Sequence, residues 1–167
     1  IIPDTVTMIG DCAFSDCTNL SDVSLSKNLQ ALGVRTFENC KSLIEIEIPK
    51  SLNTGGSNCF AGSGLISAKF ETGTEKVAKY LFSGADKLEN VTLLDTMTKV
   101  ESCAFSGCKS LKEIKLPNKL TAIDTCAFED CTVLESINIP DTVTTIGDYA
   151  FSNCTNLSDV SLSKNLQ

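Results

Sequence analysis

The chain contains no histidine and no tryptophan. Without histidine, Ser-His-Asp and Cys-His nucleophilic catalysis are excluded, as is every His-containing metal site. Basic residues are outnumbered 14 to 21 by acidic ones, for a formal charge of −7. A phosphate backbone would be repelled on average, which argues against nucleic acid as a partner. No run approaches the roughly 18 consecutive apolar residues of a transmembrane helix. Residues Ile1 to Asp4 lack the basic start and apolar stretch of a signal peptide, although a signal already removed would leave no trace. Gly-rich phosphate loops, nucleophile elbows and H-E-x-x-H motifs are also missing.

What the chain does contain is a period. Seven of the eight phenylalanines, Phe14, Phe37, Phe60, Phe82, Phe105, Phe128 and Phe151, are separated by 23 residues, or once by 22. Other columns keep the same ruler. Six residues after the Phe come Leu20, Leu43, Leu88, Leu111, Leu134 and Leu157. Nine after come Val23, Ile46, Val91, Ile114, Ile137 and Val160. Eleven after come Leu25, Ile48, Leu93, Leu116, Ile139 and Leu162. The third copy is one residue short, so Leu65, Ala68 and Phe70 fill these columns there.

A unit of 23 residues has too few apolar side chains to close a core alone, whereas stacked copies bury one continuous core. The L-x-x-V-x-L pattern gives one short strand per turn, its intervening residues facing solvent. Proline after the strand, as in Ile48-Pro49, Leu116-Pro117 and Ile139-Pro140, suits a strand end. A second extended segment carries the upstream apolar pairs, such as Val6 and Ile9 or Leu120 and Ile123. Gly10, Gly33, Gly56 and Gly147 then mark a turn expected to need positive φ. No segment keeps a 3.6-residue period, so at most a helical turn surrounds A-F-x-x-C. The third and fourth copies are degenerate: Gly55 and Thr74 replace apolar residues, and Ser63 and Ala85 replace the cysteine.

Aligned, the copies read I-P-x-x-[VL]-x-x-I-G-x-x-A-F-x-x-C-x-x-L-x-x-[VI]-x-[LI], and residues 139–162 give it almost whole as IPDTVTTIGDYAFSNCTNLSDVSL. This closely resembles the BspA-like, or Treponema-type, leucine-rich repeats over essentially the whole chain. The resemblance implies a leucine-rich-repeat right-handed solenoid, mainly β, of about seven turns with a parallel sheet on the concave face. It also implies a setting: such proteins are mostly secreted or surface-anchored in bacteria and some parasitic protists, and several are adhesins. Residues 1–167 are read as a single array. Residues 2–30 and 139–167 differ only at Met8/Thr145, Cys12/Tyr149 and Asp16/Asn153, which suggests duplication of a block of turns. The chain starts and stops mid-repeat, so a fragment of a longer array is expected. End-to-end self-association through uncapped ends is the alternative.

Nine cysteines leave at least one without an intrachain partner. Cys17, Cys40, Cys108, Cys131 and Cys154 share one column, which reads as a buried ladder of small thiols. A straight ladder does not converge on a metal, so no metal or cofactor is expected. Cys103 and Cys126 occupy adjacent turns in the column two before the Phe, beside Arg35, Tyr80 and Tyr149. At strand spacing they fall within disulfide range, and two reduced, partly exposed thiols are the alternative.

The solvent-facing strand positions form a two-column surface. Its charged and polar members Glu45, Glu47, Lys69, Thr92, Glu113 and Lys115 are the candidate ligand-binding residues. Tyr80 and Tyr149 form a second candidate surface. No aromatic stands in either of these outward columns, which points to weak, multivalent binding of a host or matrix protein or a glycan. Carboxylate pairs such as Glu45 and Glu47 could do acid–base chemistry, but a slowly curving solenoid offers no deep pocket to tune them. The sequence thus reads as a non-enzymatic extracellular or cell-surface binding module. A structural spacer or stalk between other domains is the alternative.

Overall fold

The computed structural model describes residues 1–165. Each turn is numbered here by its phenylalanine, from turn 1 at Phe14 to turn 7 at Phe151. The final two residues of the duplicated segment 139–167 lie outside the described residues. Every strand is short and every pairing is parallel, in register from one turn to the next. The chain is a parallel-strand solenoid with no helix among the described residues.

The upstream apolar columns form one side. Here lie β1 (Met8–Ile9), β2 (Ala31–Leu32), β5 (Lys76–Val77), β7 (Lys99–Val100), β8 (Ala122–Ile123) and β10 (Thr145–Ile146). β1 pairs with β2, while β5, β7, β8 and β10 form one sheet, and Thr54 bridges the two groups through Ala31 and Lys79. Ile9, Leu32, Val77, Val100 and Ile123 point inward and are buried.

The L-x-x-V-x-L segments form the strand face: β3 (Glu45–Ile48), β4 (Ser67–Phe70), β6 (Asn90–Val91), β9 (Ser136–Asn138) and β11 (Asp159–Ser161). In β3 exposed Glu45 and Glu47 alternate with buried Ile46 and Ile48, as period-two patterning requires. One continuous sheet is expected from the sequence, but the face is interrupted. β3, β4 and β6 form one sheet, β9 and β11 another. Residues 22–25 of turn 1 and 113–116 of turn 5 hold the strand columns without joining a ladder. Ile114 and Leu116 are still buried, so the apolar columns rather than backbone pairing hold this segment in place.

The A-F-x-x-C side is built from tight turns. In turn 1, Ala13, Ser15 and Cys17 each donate their N–H to the carbonyl three residues back. Two columns here adopt positive φ. Two before the Phe stand Cys12, Arg35, Asn58, Tyr80, Cys103, Cys126 and Tyr149, all with φ between 54 and 60°. Two after it stand Asp16, Asn39, Asp130 and Asn153, with Gly62, Gly84 and Gly107 in the remaining turns. Asn, Asp and Gly are the residues that tolerate this conformation; Cys, Arg and Tyr are not, and each should cost about 1–2 kcal/mol. In five of the seven turns the N–H at this position donates to the next turn, as Arg35 does to Ser57 O at 3.1 Å and Cys103 to Thr125 O at 3.0 Å.

The glycine expectation is therefore corrected. Gly10, Gly33, Gly56 and Gly147 are not among the positive-φ residues. At three of the four the backbones approach closely, while turns 4 to 6 carry Ala78, Glu101 and Asp124 in the same column. A Cβ on Gly56 would strike the Gly33 carbonyl, and one on Gly147 would lie 2.7 Å from the Asp124 carbonyl carbon. At Gly10, in turn 1, nothing lies within 4 Å.

The phenylalanine rings stack through the centre. Centroids of Phe105 and Phe128 are 5.2 Å apart and those of Phe128 and Phe151 5.3 Å, with interplanar angles of 10° and 1°. Such pairs add about 0.5–1.5 kcal/mol beyond area burial. The cysteine ladder runs beside the stack. Cys40, Cys108, Cys131 and Cys154 are buried, and each thiol donates to the carbonyl of the preceding turn's Phe at 3.1–3.3 Å. Cys17, in turn 1, is exposed. Burial pushes the Cys40 thiol up to about 11, so it stays protonated and able to donate.

The degenerate copies depart from this pattern where turn 3 meets turn 4. Phe60 and Phe82 are 6.1 Å apart and tilted by 31°, and Phe70 meets Phe82 edge-on at 6.1 Å. At the other five junctions three N–H groups, at the two positive-φ positions and the Phe between them, donate to the next turn. Asn58, Phe60 and Gly62 make no such bond. The Cys59 thiol reaches Leu81 O instead, at 3.0 Å. Leu81, where other turns have Ala, Thr or Cys, is fully buried, and its Cα would lie 2.5 Å from a Cβ on Gly55. The Leu81 backbone thus closes onto Gly55, which stands in a column that is aliphatic in the other turns. Thr74, also in an apolar column, is buried with its hydroxyl donating to Glu71 O at 2.7 Å.

Candidate binding face

The six strand-face candidates fall into two hollows rather than one patch. Glu45, Glu47 and Lys69 line a hollow of about 390 Å³ over turns 1 to 3, with Asp22, Lys27 and Glu71 at its rim. Thr92, Glu113 and Lys115 line another, of about 400 Å³, over turns 4 to 6. Each hollow lies over a segment that leaves the sheet, residues 22–25 in the first and 113–116 in the second. The interrupted pairing thus accompanies relief on a face that would otherwise be flat.

The backbone register sets Glu47 opposite Lys69, yet the Lys69 ammonium lies 3.5 Å from Glu45 instead. Both partners are well exposed, so the pair contributes little to stability. Glu47 forms no ion pair among the described residues. Lys50 pairs with Glu71 at 3.4 Å, and the Lys50 N–H holds the Glu71 carboxyl below the usual carboxylate range. In the second hollow Glu113 and Lys115 are exposed and form no ion pair among the described residues.

Sequence reasoning missed two members of this face. Ile44 and Ile66 stand at the head of β3 and β4, 55% and 40% exposed, and are joined by the Ile66 N–H to Ile44 O bond at 2.9 Å. The signal was available: other turns carry Ser21, Glu89, Lys112, Glu135 and Ser158 in that column. The exposed isoleucine pair thus stands one residue ahead of the two strands whose Glu45, Glu47 and Lys69 line the first hollow.

The second candidate surface is less uniform. Tyr149 is 69% exposed at turn 7, whereas Tyr80 is half-buried. Cys103 and Cys126 lie between them as free, partly exposed thiols. No group of three or more His, Cys, Asp or Glu side chains that could hold a metal occurs among the described residues. No helix among them is long and apolar enough to cross a membrane.

A repeated short parallel strand, a stacked aromatic core and a patterned outer face define a leucine-rich-repeat protein. A family model described as the BspA type leucine rich repeat region matches residues 1–93 and 75–167, with six copies. The chain belongs to that family. Solved structures agree. A leucine-rich repeat protein from Eubacterium ventriosum is 29% identical at a TM-score of 0.71, over 97% of this chain and 42% of its own. A leucine rich cell surface protein from Faecalibacterium prausnitzii is 31% identical at a TM-score of 0.61, over 95% of this chain and 44% of its own. A leucine rich repeat protein from Treponema pallidum is 26% identical at 0.61, covering 95% of this chain and 64% of its own. The chain therefore spans less than half the length of the first two. None of the curated proteins is similar enough to count as a match. The matched family is a repeat scaffold, and no catalytic family is indicated.

Proposed function

We propose that this array is a recognition module of a bacterial cell-surface protein, binding a host or matrix protein or a glycan through its strand face. The carrying observation is the first hollow, where unpaired Glu47 and the exposed Glu45–Lys69 pair stand on adjacent turns, with exposed Ile44 and Ile66 just ahead of the same two strands. Exposed side chains there rest on fully or nearly fully buried Ile46, Ile48 and Ala68, so the backbone presenting them is rigid. An extended solenoid surface suits a large ligand, and repetition across turns suits avidity over single-site strength. The cell-surface description of the Faecalibacterium relative supports an extracellular setting. A spacer role is the second reading. It is favoured by the axial hydrogen bonds that tie five of the six junctions on the A-F-x-x-C side.

A binding screen against matrix proteins and a glycan array tests the proposal, with the variant Glu47→Lys, Lys69→Glu, Lys115→Glu run in parallel. Binding by the parent chain that is lost in the variant is the expected result. Binding kept by the variant moves the site off the strand face. A folded chain with no ligand leaves the spacer reading.

A further inference from the structure

We propose that Cys103 and Cys126 form an oxidisable dithiol, a modification site at which a small-molecule disulfide closes a covalent clasp between turns 5 and 6. The two residues hold the same column in consecutive turns, with matching φ of 55° and 54°, so their side chains leave the backbone in the same sense. Cys103 N–H donates to Thr125 O at 3.0 Å, which fixes the two backbones one ladder spacing apart. Strands so paired lie about 4.8 Å apart, inside the about 4.4–6.8 Å Cα range of disulfides. The thiols stand close enough to influence one another's ionisation.

Other cysteines also stack in consecutive turns, and the comparison singles this pair out. In Cys17/Cys40 one thiol is buried; in Cys108/Cys131 and Cys131/Cys154 both are. Those buried thiols donate to phenylalanine carbonyls, bonds that a disulfide would forfeit. Cys103 and Cys126 are both partly exposed, and neither thiol donates to a backbone carbonyl. Tyr80 flanks Cys103 on one side and Glu129 stands beside both thiols. An oxidant in solution can reach this pair without opening the core.

The chemistry is thiol–disulfide exchange. One cysteine, as thiolate, attacks a sulfur of the reagent, breaking its S–S bond and releasing one small thiol. The second cysteine attacks the sulfur of the first, forming the Cys103–Cys126 bond and releasing the second small thiol. The two cysteine protons end on the released thiols, and the reagent gains the two electrons the cysteines lose. Burial pushes both thiols up, Cys126 to about 11, with Glu129 opposing its thiolate. At neutral pH the exchange is accordingly slow, in keeping with a structural clasp and not a rapidly cycling redox centre.

The test is incubation of the folded chain with oxidised glutathione, followed by alkylation, intact mass and peptide mapping. The expected product is lighter by two hydrogens, with one cross-linked peptide pair joining Cys103 to Cys126 and the other seven of the nine cysteines unbridged. The oxidised chain should melt about 5 °C higher. Cys103→Ser and Cys126→Ser, both outside the core, should show neither bridge nor shift. A bridge mapped elsewhere, a mixed disulfide that never closes, or a chain that remains fully alkylatable overturns the proposal. The mapping of the parent chain decides this even if a variant folds poorly.

Discussion

The junction between turns 6 and 7 and the junction between turns 3 and 4 are built from the same repeat and held together differently. At 6/7 all three sides are tied: β9 with β11, β8 with β10, and Cys126, Phe128 and Asp130 N–H to Asp148, Ala150 and Ser152. The rings are parallel to within 1° and Cys154 reaches back to Phe128 O. At 3/4 only β4 with β6 and a single bridge at Thr54 remain, while the rings tilt by 31°. The core is nevertheless continuous: Phe60, Leu65, Leu81 and Phe82 are all fully buried. Side-chain burial and backbone pairing are thus separable in this solenoid. The interior turns keep the first throughout, whereas the second changes from junction to junction and from one side of the solenoid to the other.

Three experiments would break or sharpen that comparison. The largest effect is expected from Phe128→Ala, which removes a fully buried ring stacked on both faces and should cost about 3–5 kcal/mol by urea denaturation. Phe60→Ala should cost less, because tilted Phe82 and edge-on Phe70 can shift toward the gap. Equal costs would mean that the central junction is as tightly determined as the regular one. Next, Leu81→Ala should cost about 2–5 kcal/mol, since it empties a fully buried site. Gly55→Ile should also destabilise, because a Cβ there meets the Leu81 backbone. The double variant carries the residue pair of the regular turns but leaves that backbone contact in place, so it should recover little of the loss, and a thermodynamic cycle measures the coupling directly. Full recovery would mean that the Leu81 side chain, and not its backbone, closes the space at Gly55. The smallest effect is one of local stability: by hydrogen exchange the Phe60 amide, with no partner in turn 4, should exchange at least tenfold faster than those of Phe105 and Phe128. Comparable protection would place a hydrogen bond at 3/4 after all.

The period, the core columns and the outward strand residues were legible because one side chain per column faces the same environment in every turn. Cys40, Phe37, Leu43 and Ile46 are buried as their columns demand. The close approach at turn 4 was legible in principle, as a leucine in a column of small residues one repeat after a glycine in an aliphatic column. So was one positive-φ column, two after the Phe, which holds only Asp, Asn and Gly. The other was not: glycine is the residue that announces such a backbone, and the column of Cys, Arg, Asn and Tyr contains none, while at Gly33, Gly56 and Gly147 glycine serves close approach instead. The breaks in the strand face at residues 22–25 and 113–116 were equally silent, because their apolar patterning is intact. The two hollows that divide the candidate site follow from those breaks.

The positive-φ column has one further consequence. Its conformation is set by the tight turn it opens, in which its carbonyl accepts the N–H three residues on in all seven copies, and not by the residue that occupies it. Cys12, Arg35, Asn58, Tyr80, Cys103, Cys126 and Tyr149 share one geometry although their chemistries have nothing in common. A position whose shape is indifferent to its occupant can be rewritten turn by turn while the scaffold stays constant. The array therefore carries, along one edge, a line of characters that can diverge after each duplication, as Cys12 and Tyr149 already have in otherwise near-identical segments.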